Sequence, residues 1–300
     1  MKVKNALMCG ALAAVMLFAG CKESSSTGSS NSDIAAPGAV TDSDSNDVTS
    51  NDESIEGNLK DIAPKNGDLI ATFEIEDYGT IKAVLFPDVA PVGVENFQKL
   101  CDAGFYKGLK IHRVVSDFMF QGGSANGDGT GGEAMVNGGK FSIETAQNAR
   151  HFYGALCYAN AGADNNSTQF YIVNNKKPQD LGNANTDVIK NNIGQFKEAA
   201  AAYEAQGESE YAAYYDRQAK YYQTMLDWIT SADDEIKARY KEKGGTPTLD
   251  GNYTVFGQVY EGFDVIDELS AAEVEDNGAG EPSKPVKDII IKNVSVSTFE

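Results

Sequence analysis

Residues 111–123 read Ile111-His112-Arg113-Val114-Val115-Ser116-Asp117-Phe118-Met119-Phe120-Gln121-Gly122-Gly123. Two short strands fit this stretch, 111–115 and 118–121, closed by a glycine pair. An arginine in a strand is ordinarily a solvated surface charge, and Phe118-Met119 alone would be ordinary core. The same grammar extends outward. Leu69-Ile70-Ala71-Thr72-Phe73-Glu74-Ile75, the turn Asp77-Tyr78-Gly79, and Ile81-Lys82-Ala83-Val84-Leu85-Phe86 place apolar residues with period two on both sides of a turn. That pattern predicts an antiparallel hairpin. Pro91 opens a helix with Val94, Phe97, Leu100 and Cys101 on one face, and Gly104 stops it. Further strands are expected at 155–159, 169–173, 254–259 and 289–296, with a helix at 263–272. The fold class is mainly β, with two helices in the globular part.

Residues 174–247 break this pattern. Val188, Ile189, Phe196, Ala200 and Tyr203 mark one helix. After Gly207 a longer one carries Tyr211, Tyr214, Tyr215, Gln218, Tyr222, Met225 and Ile229 at three- and four-residue spacing. Ser231 with Asp234 reads as the cap of a third, short helix bearing Ile236 and Tyr240 and ending at Gly244-Gly245. The segment reads as a helical insertion into a β fold.

Composition narrows the chemistry. The chain has 300 residues, 41% of them hydrophobic, enough for a real core. With 25 basic and 44 acidic residues its net charge is −19, which disfavours nucleic acid and other polyanions as partners. Gly127-x-Gly129-x-x-Gly132 has the form of a dinucleotide fingerprint, but no convincing helix opens on its last glycine, and no Gly-Lys-Ser/Thr follows for a phosphate loop. His112 and His151 are the only histidines and neither has a metal-ligand spacing; no Gly-x-Ser-x-Gly elbow exists. No metal or cofactor is expected. Cys101 and Cys157 read as separate buried thiols in preference to a disulfide.

The segment 111–123 resembles the cyclophilin family closely. The resemblance continues in order through Gly127-Asp128-Gly129-Thr130-Gly131-Gly132, Tyr158-Ala159-Asn160-Ala161-Gly162, Ser167-Thr168-Gln169-Phe170-Tyr171, Leu249-Asp250-Gly251 and Val255-Phe256-Gly257. It implies an eight-stranded antiparallel barrel capped by two helices, and peptidyl-prolyl cis-trans isomerase (rotamase) activity toward proline-containing polypeptides. Arg113 matches the family's catalytic arginine. Phe118, Met119, Tyr171 and Leu249 match its proline pocket. Gln121, Ala159, Asn160, Ala161 and Gln169 match the rail that holds the peptide, and Tyr253 a rim contact. Three positions depart from the family: Tyr171 stands for the usual Phe, Thr248 for a Trp common in animal cyclophilins, and Tyr253 for a common His.

At the N-terminus Lys2 and Lys4 lead into an apolar run, 6–19, too short to cross roughly 30 Å of hydrocarbon. It reads as an export signal. It closes with Leu17-Phe18-Ala19-Gly20-Cys21, which resembles a bacterial lipobox and implies lipidation of Cys21, including palmitate. Residues 22–60 contain no aromatic residue and cannot offset chain entropy by burial. The expected organisation is a signal peptide at 1–20, an acidic, Ser-rich disordered tether at 21–60, a barrel made of 61–173 and 248–300, and the helical insertion at 174–247. The expected location is lipid-anchored at the outer face of a bacterial cell membrane, or in the periplasm of a two-membrane cell, with exported, incompletely folded proteins as clients. Tyr203, Tyr211, Tyr214, Tyr215, Tyr221 and Tyr222 of the insertion could form an arm for clients or a second subunit, or simply pack together. The alternatives are a non-catalytic chaperone or adaptor that works through the insertion, and an envelope structural protein.

Overall fold

The computed structural model describes residues 49–50, 57–59, 62–162 and 165–300. The signal segment, Cys21 and most of the expected tether lie outside the described residues. Eight strands close a barrel: β1 (Leu69–Ile75), β2 (Gly79–Leu85), β3 (Lys110–Val115), β4 (Met119–Gly122), β5 (Ala155–Tyr158), β6 (Phe170–Val173), β7 (Val255–Glu261) and β8 (Ile289–Thr298). Their order around it is β8-β1-β2-β7-β5-β6-β4-β3, with β3 returning to β8, and every pairing is antiparallel. Closure removes the exposed edges that an open antiparallel sheet would have to protect.

Alternation fills the interior. Val114, Phe120, Ile172 and Leu156 face one another across β3, β4, β6 and β5, and all four are buried. The helix α1 (Pro91–Asp102) caps one end. Val94, Phe97, Leu100 and Cys101 are its buried face, as their spacing predicts. The Phe97 ring lies 5.2 Å from Phe256 and 5.3 Å from Tyr106, so the cap is aromatic packing. Its first turn lacks a capping side chain of its own; the Glu144 carboxylate instead accepts from the amides of Val92 (3.0 Å) and Gly93 (2.8 Å). The second cap, α5 (Phe263–Ser270), buries Val265, Ile266 and Leu269.

Between β6 and β7 the chain forms α2 (Thr186–Glu204), α3 (Ser209–Thr230) and α4 (Asp234–Lys243). The α4 cap is Asp233, whose side chain accepts from the Ile236 amide, and not the Ser231 expected from sequence: Ser231 instead closes α3, its amide donating to the Asp227 carbonyl. Most of the tyrosines pack among themselves. Tyr203 stacks on Tyr211 and Tyr215, with centroids 5.2 and 5.4 Å apart, and Phe196 lies between Tyr215 and Tyr222.

The expected tether also needs correction at its end. Residues 57–59 are packed. Asn58 is fully buried, donating to the Arg150 carbonyl (2.7 Å) and to Gln258 Oε1 (2.9 Å) and accepting from the Arg150 amide (2.8 Å). Thr49–Ser50 pairs in parallel with Thr145–Ala146. Composition misses such contacts because two or three well-bonded residues suffice to dock a polar segment. Cys101 and Cys157 are both buried and unbridged.

Candidate active site

One irregularity in the barrel sets up the site. Strict alternation would place Ile111 and Arg113 on the same face of β3. The register instead shifts between them, with His112 as the extra residue, a β-bulge. Ile111 therefore turns into the core, 1% exposed, while the Arg113 side chain, 31% exposed, emerges on the outer face. Arg113 lies opposite Gln121 on β4, and Gln121 opposite Tyr171 on β6, so three strands supply one row of side chains. Met119, two residues before Gln121, shares that face.

A pocket forms over this row, with about 410 Å³ of unfilled space partly open to solvent. Arg113, Phe118, Met119, Gln121, Ala159, Asn160, Tyr171, Leu249 and Tyr253 line it, nine of the eleven residues that the sequence resemblance assigns to catalysis or peptide binding. The other two stand apart. Ala161 is exposed beyond the lining, and Gln169 stands behind Gln121, accepting from its amide at 3.0 Å. Gln169 in turn donates to the Gly129 carbonyl (2.9 Å), while Gln121 Oε1 accepts from Arg113 Nη1 (3.4 Å). A relay of amides thus runs from the arginine to the glycine-rich loop. The Asn160 side chain is committed to Asn166 and to the Gly162 amide. A second cleft, lined by Asp117, Lys176 and Asp267 among others, has no aromatic wall and is crossed by an ion pair between Lys176 and Asp267.

Several supports of the pocket have no local sequence signal. Asn174 accepts from the Phe118 amide (2.7 Å) and donates to the Val115 carbonyl (3.2 Å), which fixes the turn that presents Phe118. Leu249 ends a short helical turn that α3 braces: a Cβ on Gly251, whose φ is +75°, would stand 2.2 Å from Trp228 Nε1. Only glycine fits so close an approach at that φ.

Tyr171 finds a protein partner for its extra hydroxyl. His151 Nε2 is 2.9 Å away, and His151 Nδ1 is 2.8 Å from Asp250 Oδ1. An ionised carboxylate only accepts, so Nδ1 carries a proton toward Asp250, and Nε2 shares a second hydrogen bond with the Tyr171 hydroxyl. Asp250 is buried with the fully buried Arg150, whose Nη1 donates to its Oδ2 (3.2 Å), and it accepts from the Tyr240 hydroxyl of α4 (2.7 Å). Burial opposes the Asp250 charge, but the His151 hydrogen bonds and the Arg150 cation outweigh it, and its carboxyl titrates below the usual range. Burial pushes the Tyr171 phenol well up, so it remains neutral. The Arg150 guanidinium also lies over the Trp228 ring of α3, 4.4 Å from its centroid. Through Asp250, helices α3 and α4 are joined to the floor of the pocket.

The pocket's cation is held from the side opposite the slot. Glu281 takes Arg113 Nε at 2.8 Å and Nη2 at 2.7 Å. Phe118 lies 5.9 Å from the guanidinium carbon. The neighbouring His112 is kept neutral, pushed down to about 4 by burial and then by the Arg113 charge.

Comparison with known proteins bears on this geometry. The family model described as cyclophilin type peptidyl-prolyl cis-trans isomerase/CLD matches residues 70–202 and 218–296. A protein of Staphylococcus aureus (strain COL) named as a peptidyl-prolyl cis-trans isomerase is 34% identical over 220 residues, 73% of this chain and 87% of its own length. A Staphylococcus epidermidis protein of the same name is 34% identical over 218 residues, with the same coverage. The crystal structure of a Cryptosporidium parvum cyclophilin type peptidyl-prolyl cis-trans isomerase matches with a TM-score of 0.50 at 20% identity, over 78% of this chain and 99% of that one, a likeness of fold.

Proposed function

The chain belongs to the cyclophilin-type peptidyl-prolyl cis-trans isomerases, and from that premise we propose that it isomerises X-Pro bonds of exported, incompletely folded proteins, with Arg113 as its catalytic residue and a lipid on Cys21 as its anchor. The observation that carries the site is the apolar and aromatic slot of Phe118, Met119, Tyr171 and Leu249 with one cation, Arg113, at its edge.

The reaction asks for little covalent chemistry. The amide must lose its resonance against a barrier of about 20 kcal/mol, with no proton transferred and no bond broken. The slot grips the pyrrolidine ring while the chain on either side twists about the C–N bond. As the prolyl nitrogen becomes pyramidal its lone pair localises and accepts a hydrogen bond that the planar amide could not. A guanidinium donor already in place stabilises that state more than the ground state, which is the condition for raising kcat. Arg113 suits this role because it stays charged and planar and presents fixed donors.

A proline tetrapeptide assay run beside the proline-limited refolding of an unfolded exported protein tests the client assignment. Catalytic amounts are expected to accelerate both. Acceleration of the peptide with no effect on refolding would overturn the assignment of unfolded chains as clients.

The anchor is supported by Leu17-Phe18-Ala19-Gly20-Cys21 and by the polar segment after it. In cells fed labelled palmitate, the wild-type chain is expected to carry label and sediment with membranes, and Cys21→Ser to lose the label and appear in the soluble fraction. An unlabelled wild-type chain would remove the anchor.

A further inference from the structure

Arg113 has five N–H donors and no acceptor, and two of those donors go to one carboxylate. Glu281 takes the Nε and Nη2 edge with one carboxylate oxygen each, at 2.8 and 2.7 Å, the side-by-side geometry that fixes a guanidinium plane. The Nη1 edge is left facing the slot, 3.4 Å from Gln121 Oε1 and 3.9 Å from Met119 Sδ, both of them lining residues. An exposed ion pair of two mobile side chains would mean little. This one is half-buried, and its carboxylate sits on a braced scaffold.

The scaffold is a hairpin of two short strands, Val274–Asp276 and Pro282–Pro285, joined by a tight glycine turn. Asp276 Oδ1 accepts from the amides of Gly278 (2.7 Å) and Gly280 (3.2 Å), and Asn277 Oδ1 from those of Ala279 (2.9 Å) and Glu281 (3.4 Å). The Asn277 side chain donates to Glu281 Oε2 (3.3 Å) and to the buried Ser283 hydroxyl (3.2 Å). The carboxylate is thus held from behind and aimed at the pocket's sole lining cation.

We propose that Glu281 is a positioning residue of the isomerase: it clamps one edge of the Arg113 guanidinium so that the other edge is already set toward the twisting amide. The inference rests on Arg113 as the catalytic residue. Its physical content is preorganisation, since a side chain ordered before the substrate arrives loses less entropy at the transition state.

The test is steady-state kinetics on a proline tetrapeptide with wild type, Glu281→Ala, Glu281→Asp, Arg113→Ala and the Arg113→Ala/Glu281→Ala pair, each with its thermal midpoint. Glu281→Ala is expected to lower kcat about tenfold with KM and the midpoint little changed, because the clamp acts on the arginine and not on substrate binding. Glu281→Asp is expected to recover part of the loss. In the Arg113→Ala background removal of Glu281 is expected to cost nothing further, the signature of two residues acting as one unit. The nitrogen-15 resonance of Arg113 Nε is expected to lose its exchange protection in Glu281→Ala alone. Unchanged kcat in Glu281→Ala, beside a large loss in Arg113→Ala, would overturn the clamp only. A faster Glu281→Ala would overturn it too, since the carboxylate would then be competing with substrate. A wild-type rate in Arg113→Ala would instead sink the assignment of Arg113 itself.

Discussion

Arg113→Ala is expected to lower kcat/KM for a proline tetrapeptide by about 10² to 10³, the usual cost of removing one preorganised donor from a site of developing charge. The change should fall mainly on kcat. The walls proposed to hold the proline ring, Phe118, Met119, Tyr171 and Leu249, remain in place, so ground-state binding should survive while the proposed donor to the pyramidal nitrogen is gone. Arg113→Lys is expected to recover little. An ammonium has the charge but not the planar fork, so it cannot hold Glu281 through two parallel bonds and still face Gln121 with a third donor. Stability should change little in either variant, because Arg113 is on the outer face of the barrel. A kcat/KM within about threefold of wild type would contradict the mechanism, since a lost donor is expected to cost far more.

Asp250→Ala is expected to cost about 3–5 kcal/mol of folding stability, the penalty for leaving a buried charge without its partner. Asp250 accepts four hydrogen bonds: from the His151 amide (2.9 Å), His151 Nδ1 (2.8 Å), Arg150 Nη1 (3.2 Å) and the Tyr240 hydroxyl (2.7 Å). Removing it strands the fully buried Arg150 cation and frees His151, the prop of Tyr171. Such a loss is a large part of the 5–15 kcal/mol typical of a whole domain. Asp250→Asn is expected to lose less, since one oxygen still accepts. Urea unfolding measures both. The pair Arg150→Met/Asp250→Leu is expected to be less damaging than Asp250→Ala, because no charge is then left buried alone. If Asp250→Ala unfolds at the wild-type urea midpoint, the network is ornamental. The acid limb of the wild-type curve provides a second check. The folded carboxyl titrates below its ordinary value of roughly 3.9, so the stabilisation is complete above that pH and is lost as the pH falls through the depressed value. That part of the acid sensitivity should vanish in Asp250→Asn.

These two residues differ in how far the sequence reveals them. Arg113 stands inside the most informative stretch of the chain, among motifs whose order identifies the barrel. Asp250 also sits in a recognisable block, beside Leu249, but nothing local says that its carboxylate gathers Arg150, His151 and Tyr240. His151 fails every metal and nucleophile test on spacing, and its role is to orient Tyr171 from 20 residues away. Glu281 is 168 residues from Arg113, and its surroundings, Asn277-Gly278-Ala279-Gly280, read as an ordinary surface turn.

The helical segment shows the same division. Its periodicity marks three helices well, and the clustering of its tyrosines foretells the stack of Tyr203, Tyr211 and Tyr215. What periodicity does not contain is the use of two other residues. Trp228 covers Arg150 and crowds Gly251, while Tyr240 joins Asp250, so the insertion supports the residues around the pocket as well as packing on itself.

Element type and the alternation that fills the barrel follow from the amino-acid order, because each depends on residue chemistry at spacings of two to four along the chain, while the lining of the slot is legible only through the resemblance of its motifs to the cyclophilins. The outward face of Arg113 does not. Alternation alone would align it with buried Ile111; the bulge at His112 reverses it, and that bulge exists only because β3 must pair with β4. Its orientation, and the buried charges behind Tyr171, depend on partners tens to hundreds of residues away. Such pairings come into being only when the barrel closes and excludes water, which makes an unmatched donor or charge costly enough to select one arrangement.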